Sequence, residues 1–471
     1  MRKLLLILLG ILITLSGFSH PWKPNHYIII DTDGGIDDMR AITMFLASPD
    51  VRVLGITVSP GALNADSVYS KVKSLLTAFH HEGLPVAINR MSTFRSPDFT
   101  VALNTSWGRP VKMLKINIDA RGLIKDILKN EQSKISFICL GGMSTAASMI
   151  ADEDFVSGVK QIVWSGDGVA GKNGFNYSID KAASDKVLKG KIPVVPVNAM
   201  NGVVFYDETF LKSVAGVKGV YAECISSSFN APVIRDHSYS YEATDEMVPV
   251  FLHYQSLFRK DEQGIYTPLI DSLGQIRKKA LNILAGETVQ KNQVIRYFPE
   301  DPAFYFGDVE GNVKKIIDEY GKEEWVSGVI ANELHRHLGT YAIIGVKMGI
   351  RAREYFNTGV DEFSAVSFAG SVPPLSCMND GIQVSTGATP GHGLLTVINV
   401  NTLPSVEFTY MNHKIRLTLK PEIAEKISGE LKEINFVYGL DSNIYWELVR
   451  KNTIKYWLEM DRHEIFEIEE M

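Results

Sequence analysis

The chain has 471 residues, of which 45% are hydrophobic, 22% charged and 10% aromatic. That is a globular composition, and it excludes a disordered, collagen-like or coiled-repeat protein. The formal net charge is −6, from 48 basic and 54 acidic side chains. With no long basic run, nothing favours a nucleic-acid or acidic-membrane partner, and a small diffusible one fits better.

The first twenty residues, MRKLLLILLGILITLSGFSH, have a basic start (Arg2, Lys3), an apolar run from Leu4 to Leu15, and small residues at Gly17 and Ser19. This reads as a signal peptide over residues 1–19. The apolar run is shorter than the ~20 residues a spanning helix needs. The expectation is a chain exported across the inner membrane, periplasmic in a Gram-negative bacterium, with no membrane contact after cleavage.

From residue 26, apolar runs of strand length (HYIIID, VLGITVSP, LPVAINR, ISFICLGG, QIVWSGD, IPVVPVN) alternate with periodic, polar-faced segments at 37–47, 64–82, 121–131, 144–159 and 180–189. Continuous apolar strands separated by helices predict an α/β fold with a mostly parallel sheet covered on both faces. Ligands in such sheets bind at the carboxyl ends of the strands, so the residues just after each strand carry the functional information.

The first such junction, HYIIIDTDGGIDDMRAITMFLAS, sets Asp31, Asp33, Asp37 and Asp38 around Gly34-Gly35. One or two of these aspartates could simply cap the helix. Four in one poorly solvated crevice repel one another unless a cation neutralises them. All-oxygen donors with no neighbouring His or Cys point to Ca²⁺ or Mg²⁺, and a cage built wholly from protein favours Ca²⁺.

DTDGGIDDMRA resembles the D-x-D-P-G-x-D-D signature of the inosine-uridine nucleoside hydrolase family. Three later segments resemble that family's landmarks in the same order: LGGMSTAASMI (G-P-L-T-N-L-A), GFNYSIDKAASDKVL (E-F-N-x-x-x-D-P-E-A-A) and TDEMVPVFLHYQSLF (the late metal-ligand helix). The resemblance implies a mostly parallel Rossmann-like sheet. It implies that Ca²⁺ is bound by the carboxylates of Asp33, Asp38 and Asp245 and the backbone carbonyl of Ser144. Asp33 would act as the catalytic base toward the attacking water, while Asp37 and Asn176 would hold ribose hydroxyls. Four positions depart from the family: Gly34 for proline, Ala62 for asparagine, Gly174 for glutamate, and Thr244 for the histidine before the late aspartate. Asn173 and Asp167 lie in the same loop as Asn176 and are candidates to replace lost sugar contacts.

Around 285–325 the alternation fades, and GDVEGNVKKIIDEYGKEEW reads as a charged linker, which puts a domain boundary near 322. Beyond it, ELHRHLGTYAIIGVKMGIRAREY carries His335-x-His337 and a helix with Gly339, Gly345 and Gly349. PPLSCMNDGIQVSTGATPGHGLL combines Cys377 and Asp380 with what reads as a run of turn glycines, and a polar helix is expected to close the chain near Met471. This half resembles the FmdE family, named for formylmethanofuran dehydrogenase, whose pattern is F-H-G-H-L followed by C-x-x-D-G-I-Q-x-x-T-G. The resemblance implies a smaller α+β domain over 322–471, with His335, His337, Cys377 and Asp380 as candidates around Zn²⁺ or another transition metal. Arg336 stands at the family's glycine and Ala388 at its second cysteine.

Together these readings predict a hydrolase domain over 26–321 that acts on the N-glycosidic bond of a ribonucleoside or related ribosyl compound. A metal- or ligand-binding domain follows it. A ribosyl-ligand binding protein with weakened catalysis is the alternative, motivated by Ala62, Gly174 and Thr244. The partner is a nucleoside-like small molecule, with homo-oligomerisation left open.

Overall fold

The computed structural model describes residues 24–111, 119–166, 174–289 and 294–471. The expected signal segment, Asp167 and the Asn173 candidate lie outside them. Each apolar run becomes a strand: β1 (His26–Thr32), β2 (Val51–Val58), β3 (Val86–Ile88), β4 (Ile135–Cys139), β5 (Val159–Ser165) and β6 (Val194–Val197). The hairpin β7 (Phe258–Lys260) and β8 (Tyr266–Pro268) completes an eight-stranded sheet of order β3-β2-β1-β4-β5-β6-β8-β7. Every neighbouring pair is parallel except β7 with β8 at the edge.

After β3 the chain returns to the other side of β1 to form β4, so the strand order reverses between β1 and β4. The crossovers diverge at that point and leave a crevice at the carboxyl ends of the two strands. The helix Ile36–Ala47 starts there, directly after β1, and every residue from Asp38 to Ala47 is buried. The segment 144–159 is two short helices rather than one. Asp152 accepts hydrogen bonds from the backbone N–H groups of Asp154 and Phe155 and so starts a second helix, Glu153–Gly158, just before β5.

Residues 302–320 are not a linker. They form the helices Gly307–Glu310 and Val313–Tyr320, which bury Val309, Val313, Ile316 and Tyr320 against Trp325, Ile343 and Trp457 of the second unit. The charged residues that suggest a linker occupy the opposite, solvated face.

The second unit wraps helices around a sheet of order β10-β9-β11-β12-β13: β9 (Ser364–Ser367), β10 (Leu395–Val397), β11 (Ser405–Tyr410), β12 (His413–Leu419) and β13 (Phe466–Glu470). The chain therefore closes on an edge strand paired antiparallel with β12, not on a helix; the last helix, Asn443–Glu459, ends before it. Phe466 is buried while Glu467 and Glu469 face water, the period of two that a strand requires.

Gly381 sits inside the helix Met378–Thr386 rather than in a turn. A Cβ on it would stand 2.1 Å from the Ala342 carbonyl, and one on Gly345 would stand 2.1 Å from the Met378 carbonyl. These glycines let the helix Thr340–Phe356 touch Met378–Thr386 backbone to backbone.

The two units are joined by buried polar contacts. Arg52 of β2 donates from Nε and Nη2 to the two carboxylate oxygens of Glu362 at 2.6 and 2.5 Å, and from Nη1 to the Asn357 carbonyl at 3.0 Å. The Gly83 N–H donates to the Tyr355 carbonyl, and Arg351 pairs with Glu82. Removing one member of a buried pair strands the other charge, at a cost of about 3–5 kcal/mol. Glu362→Gln is therefore expected to shift the urea unfolding midpoint down markedly, whereas Arg52→Met combined with Glu362→Leu recovers most of the loss. A midpoint unchanged by Glu362→Gln contradicts this account of the interface. Among the described residues, no helix is long and apolar enough to cross a membrane.

Candidate functional site

A cavity of about 450 Å³ opens at the crevice between β1 and β4 and is lined by Asp33, Asp37, Asp38, Asn176, Thr244 and Asp245, among others. The Gly34-Gly35 turn builds its floor. Gly34 has φ +84, a conformation closed to proline, and its N–H donates to Thr32 Oγ1 at 3.2 Å. The departure from the family's proline is thus a real change of backbone. Asp38 closes the turn by accepting from the Thr32 hydroxyl (2.5 Å) and from the N–H groups of Asp33 and Gly35 (3.1 Å each).

Carboxylate oxygens of Asp37, Asp38 and Asp245 lie within 4.8 Å of one another, although more than 200 residues separate the first two from the third. Among the described residues this is the one group of three or more His, Cys, Asp or Glu side chains gathered so tightly. Burial and the neighbouring carboxylates push Asp245 well above the usual carboxylate range and Asp38 up to about 6. Asp38 and Asp245 lie close enough that a shared proton or a cation relieves their repulsion. Asp37 differs in that its Oδ2 accepts from the hydroxyl of Thr244, at the position where the family has a histidine.

Asp33 lines the same cavity but stands outside the tight triad. Its Oδ2 is buried without a hydrogen-bond partner, and Cβ atoms on Gly61 and Gly141 would come within 2.1 and 2.7 Å of it. Only glycines at both positions leave the carboxylate room. Burial, Asp38 and Asp37 together raise its pKa well above the ordinary value.

Asp31 turns away into hydrogen bonds with Thr57 (2.6 Å) and Ser59 (3.0 Å), and burial pushes it up to about 7. It supports the strand ends rather than lining the cavity. Asn176 donates from Nδ2 to the carbonyls of Leu140 (2.7 Å) and Ser165 (3.0 Å) and so ties β4 to β5; its amide oxygen is the end not used in these bonds. Ser144 opens the helix Ser144–Met149 and takes a hydrogen bond from Asn89, but it is not in the cavity lining.

Sequence reasoning misses three features. Arg40, 1% exposed, donates from Nη1 to the Ser240 carbonyl (2.8 Å), lies 3.6 Å from Glu246, and stacks on Tyr206 and Phe229. Phe99 and Phe175 stand at the cavity rim with ring centroids 5.3 Å apart, joined by Tyr239. Glu242 completes that rim and accepts from the Gly202 N–H.

Buried, mutually repelling carboxylates with an unpartnered acceptor beside them are the donor set of a hard, oxygen-ligated cation, and these residues fit one. Fold and site define a protein of the α/β class with a buried carboxylate cluster, able to hold a cation, at its topological switch point. Residues 28–288, more than half of the chain, match the family model for the inosine-uridine preferring nucleoside hydrolases, and the chain belongs to that family. Residues 334–467 match the model described as FmdE, molybdenum formylmethanofuran dehydrogenase operon, in line with the fused architecture expected from the motifs.

The chain is 29% identical over 247 residues to a probable uridine nucleosidase 2 of Oryza sativa subsp. japonica, a match covering 48% of this chain and 71% of the relative. It is 26% identical over 183 residues to the pyrimidine-specific ribonucleoside hydrolase RihA of Klebsiella pneumoniae, covering 36% and 58% of the two chains. Superposed on a plant nucleoside hydrolase, the PpNRh1 enzyme, it gives a TM-score of 0.46 at 17% identity, covering 56% of this chain and 99% of the other.

In the second unit, a cavity of about 540 Å³ is lined by His335, His337, Cys377, Tyr341, Tyr445 and Trp446, among others. His335 ends one helix, Arg336 takes the left-handed conformation (φ +64), and His337 follows, so the imidazole rings face each other with centroids 3.9 Å apart. The left-handed turn accounts for the family's glycine at this position, and an arginine there costs roughly 1–2 kcal/mol. Asp380 stands in the following helix, close enough to raise the pKa values of His337 and Cys377, although burial moves the imidazole down overall and the thiol up to about 11. Cys139 is buried in β4, and Cys224 packs partly buried against the main core.

Proposed function

We propose that this chain is an exported, Ca²⁺-dependent hydrolase of the N-glycosidic bond of a ribonucleoside or related ribosyl compound, with a C-terminal metal- or ligand-binding domain. The observation that carries the reading is the meeting of Asp37, Asp38 and Asp245 at the switch point, beside the unpartnered Oδ2 of Asp33. Export rests on the sequence of residues 1–19 alone. Asp38, Asp245 and Asp37 or Asp33 would hold the cation. When bound, it neutralises the carboxylates and polarises a water and the ribose diol.

The chain's own residues supply the rest. Asp33 Oδ2 accepts the water's proton, and Asp37 and the Asn176 amide oxygen orient ribose hydroxyls. The surrounding negative charge favours the oxocarbenium-like transition state of ribosyl transfer. Direct attack by water inverts the anomeric carbon. In the second unit, His335, His337 and Cys377 line one cavity without gathering as tightly as the aspartates, and they are the candidates for a borderline-soft ion such as Zn²⁺.

The test is release of free ribose from nucleosides and from 4-nitrophenyl β-riboside by the full chain. Chelation is expected to abolish release and Ca²⁺ to restore it. Undiminished turnover in the chelator contradicts the reading. Tight nucleoside binding with no sugar released over hours favours the binding-protein alternative instead, to which the Thr244 bond to Asp37 already lends support.

A further inference from the structure

The helix Pro421–Tyr438 runs for 18 residues and buries only Ile427 and Leu431. A helix in a folded protein owes most of its stability to the apolar face it buries, so one packed this thinly has a face left over. That face lies at its last turn. Phe436 is 92% exposed, and Val437, Tyr438, Leu440, Ile444 and Trp446, which lead round the bend into the helix Asn443–Glu459, range from 43% to 59%.

The same hairpin walls the 540 Å³ cavity of the second unit. Ser428, Lys432 and Asn435 line it from the first helix, Tyr445 and Trp446 from the second. Phe436 stands one helical turn beyond Lys432, in line with the residues that face the opening. Trp446 is held at the mouth by donation from Nε1 to the Leu440 carbonyl at 3.0 Å, with its ring 5.1 Å from that of His337. Leu334 and Val372, the chain neighbours of the lining residues His335 and Pro373, are also exposed.

Area decides what kind of partner fits. With aromatic rings of this size among them, these exposed side chains offer roughly 800 Å² of surface per copy. The largest apolar patch on a typical monomer is about 300–600 Å², whereas each partner in a standard stable interface gives about 800 Å². The face is therefore large enough for a protein.

Shape and charge decide which one. A projecting ring and a hollow on one face make a surface complementary to itself, and a two-fold axis brings each ring to the other copy's hollow. A lipid surface fits less well. The first helix carries Glu422, Glu425, Glu430 and Glu433 against Lys426 and Lys432, whereas interfacial helices present lysine and arginine.

From this we infer that the face is covered by a second copy of this chain, paired about a two-fold axis, so that the partner's Phe436 closes the mouth of the cavity beside Trp446. The dimer thereby encloses the cavity lined by His335, His337 and Cys377, whose mouth is open in the single chain. The inference concerns the second unit and does not depend on the ribosidase reading.

The experiment is sedimentation velocity on the full chain, which is expected to show a dimer at micromolar concentration. Phe436→Asp is expected to raise the dissociation constant at least about thirtyfold, the loss that follows removal of a central aromatic anchor. Its circular dichroism should not change, because the side chain touches little of its own chain. Val204→Asp, which alters an exposed apolar side chain of the first unit, is expected to leave the dimer intact. A second readout is alkylation of Cys377 by iodoacetamide, followed by peptide mass spectrometry. It is expected to run faster in Phe436→Asp than in the wild-type dimer.

Wild type that sediments as a monomer throughout overturns the inference, as does a dimer that Phe436→Asp leaves untouched, which places the interface elsewhere. Loss of the dimer with Cys377 alkylated at the wild-type rate overturns the closure of the cavity. A monomer that co-sediments with phosphatidylglycerol vesicles, and is released from them by Phe436→Asp, gives the face to a membrane and overturns the second copy as its occupant.

Discussion

Asp33→Asn is expected to leave the fold in place and to lower ribose release by between about 10² and 10⁴, the range that a positioned general base contributes. The substitution keeps the side chain's shape, which matters because Gly61 and Gly141 leave room for that shape and little more. It removes a charge that burial, Asp38 and Asp37 all disfavour, so stability in the absence of a cation should rise rather than fall. Higher stability with lost turnover separates a chemical role from a structural one. Thermal unfolding in chelator together with steady-state rates in Ca²⁺ reads both, and full activity in the variant rules out Asp33 as the base.

What the sequence made legible, and what it hid, follows from how far apart in the chain the interacting groups lie. Asp33, Asp37 and Asp38 sit within one strand-turn-helix junction, so their crowding can be read directly from DTDGGIDD. Asp245 could be brought in only through a family resemblance, because nothing in TDEMVPVFLHY by itself points back more than 200 residues.

Arg40 and Glu246 stayed hidden because a charge on a helix normally marks the wet side. Here the helix Ile36–Ala47 is covered on all faces, and residues such as Ile225, Val250 and Ile283 share its core cluster. Phe99 and Phe175 belong to a five-residue helix boundary and a five-residue helix, too short for any periodicity to show. The segment 302–320 misled through its composition, although Val309, Val313, Ile316 and Tyr320 keep helical spacing. FEIEE misled in the same way, since its acidic residues mask a period of two.

Asp245→Asn is expected to blunt the way this protein responds to pH and to Ca²⁺. In the folded, cation-free chain, burial raises Asp38 from 3.8 to about 6, Asp31 from 3.8 to about 7, and Glu246 from 4.5 to about 7, and Asp245 stands well above its ordinary value. The folded state therefore binds protons that the unfolded chain has already released. The sign follows: this stabilisation is fully present below about pH 4 and is lost as pH rises toward 7. His26 and His81, which burial lowers from 6.5 to about 4, act in the opposite direction over this window, so the carboxylate contribution is read as the difference in Tm between chelated wild type and Asp245→Asn at pH 5 and at pH 7.5. Ca²⁺ replaces those protons, and at a hundredfold excess over its Kd it adds about 2.7 kcal/mol.

Asparagine at 245 removes one of the repelling charges without changing the volume. The chelated variant should then be more stable than chelated wild type at pH 7.5 and vary less between pH 5 and 7.5, and it should gain little from Ca²⁺. A generic loss of packing lowers stability under every condition and cannot produce that pattern. A variant that keeps the full Ca²⁺ shift would show that Asp245 is not one of the cation's ligands. The pairing matters because Asp38 and Asp245 come from opposite ends of the domain, so a cation held by both would also close the chain around the site.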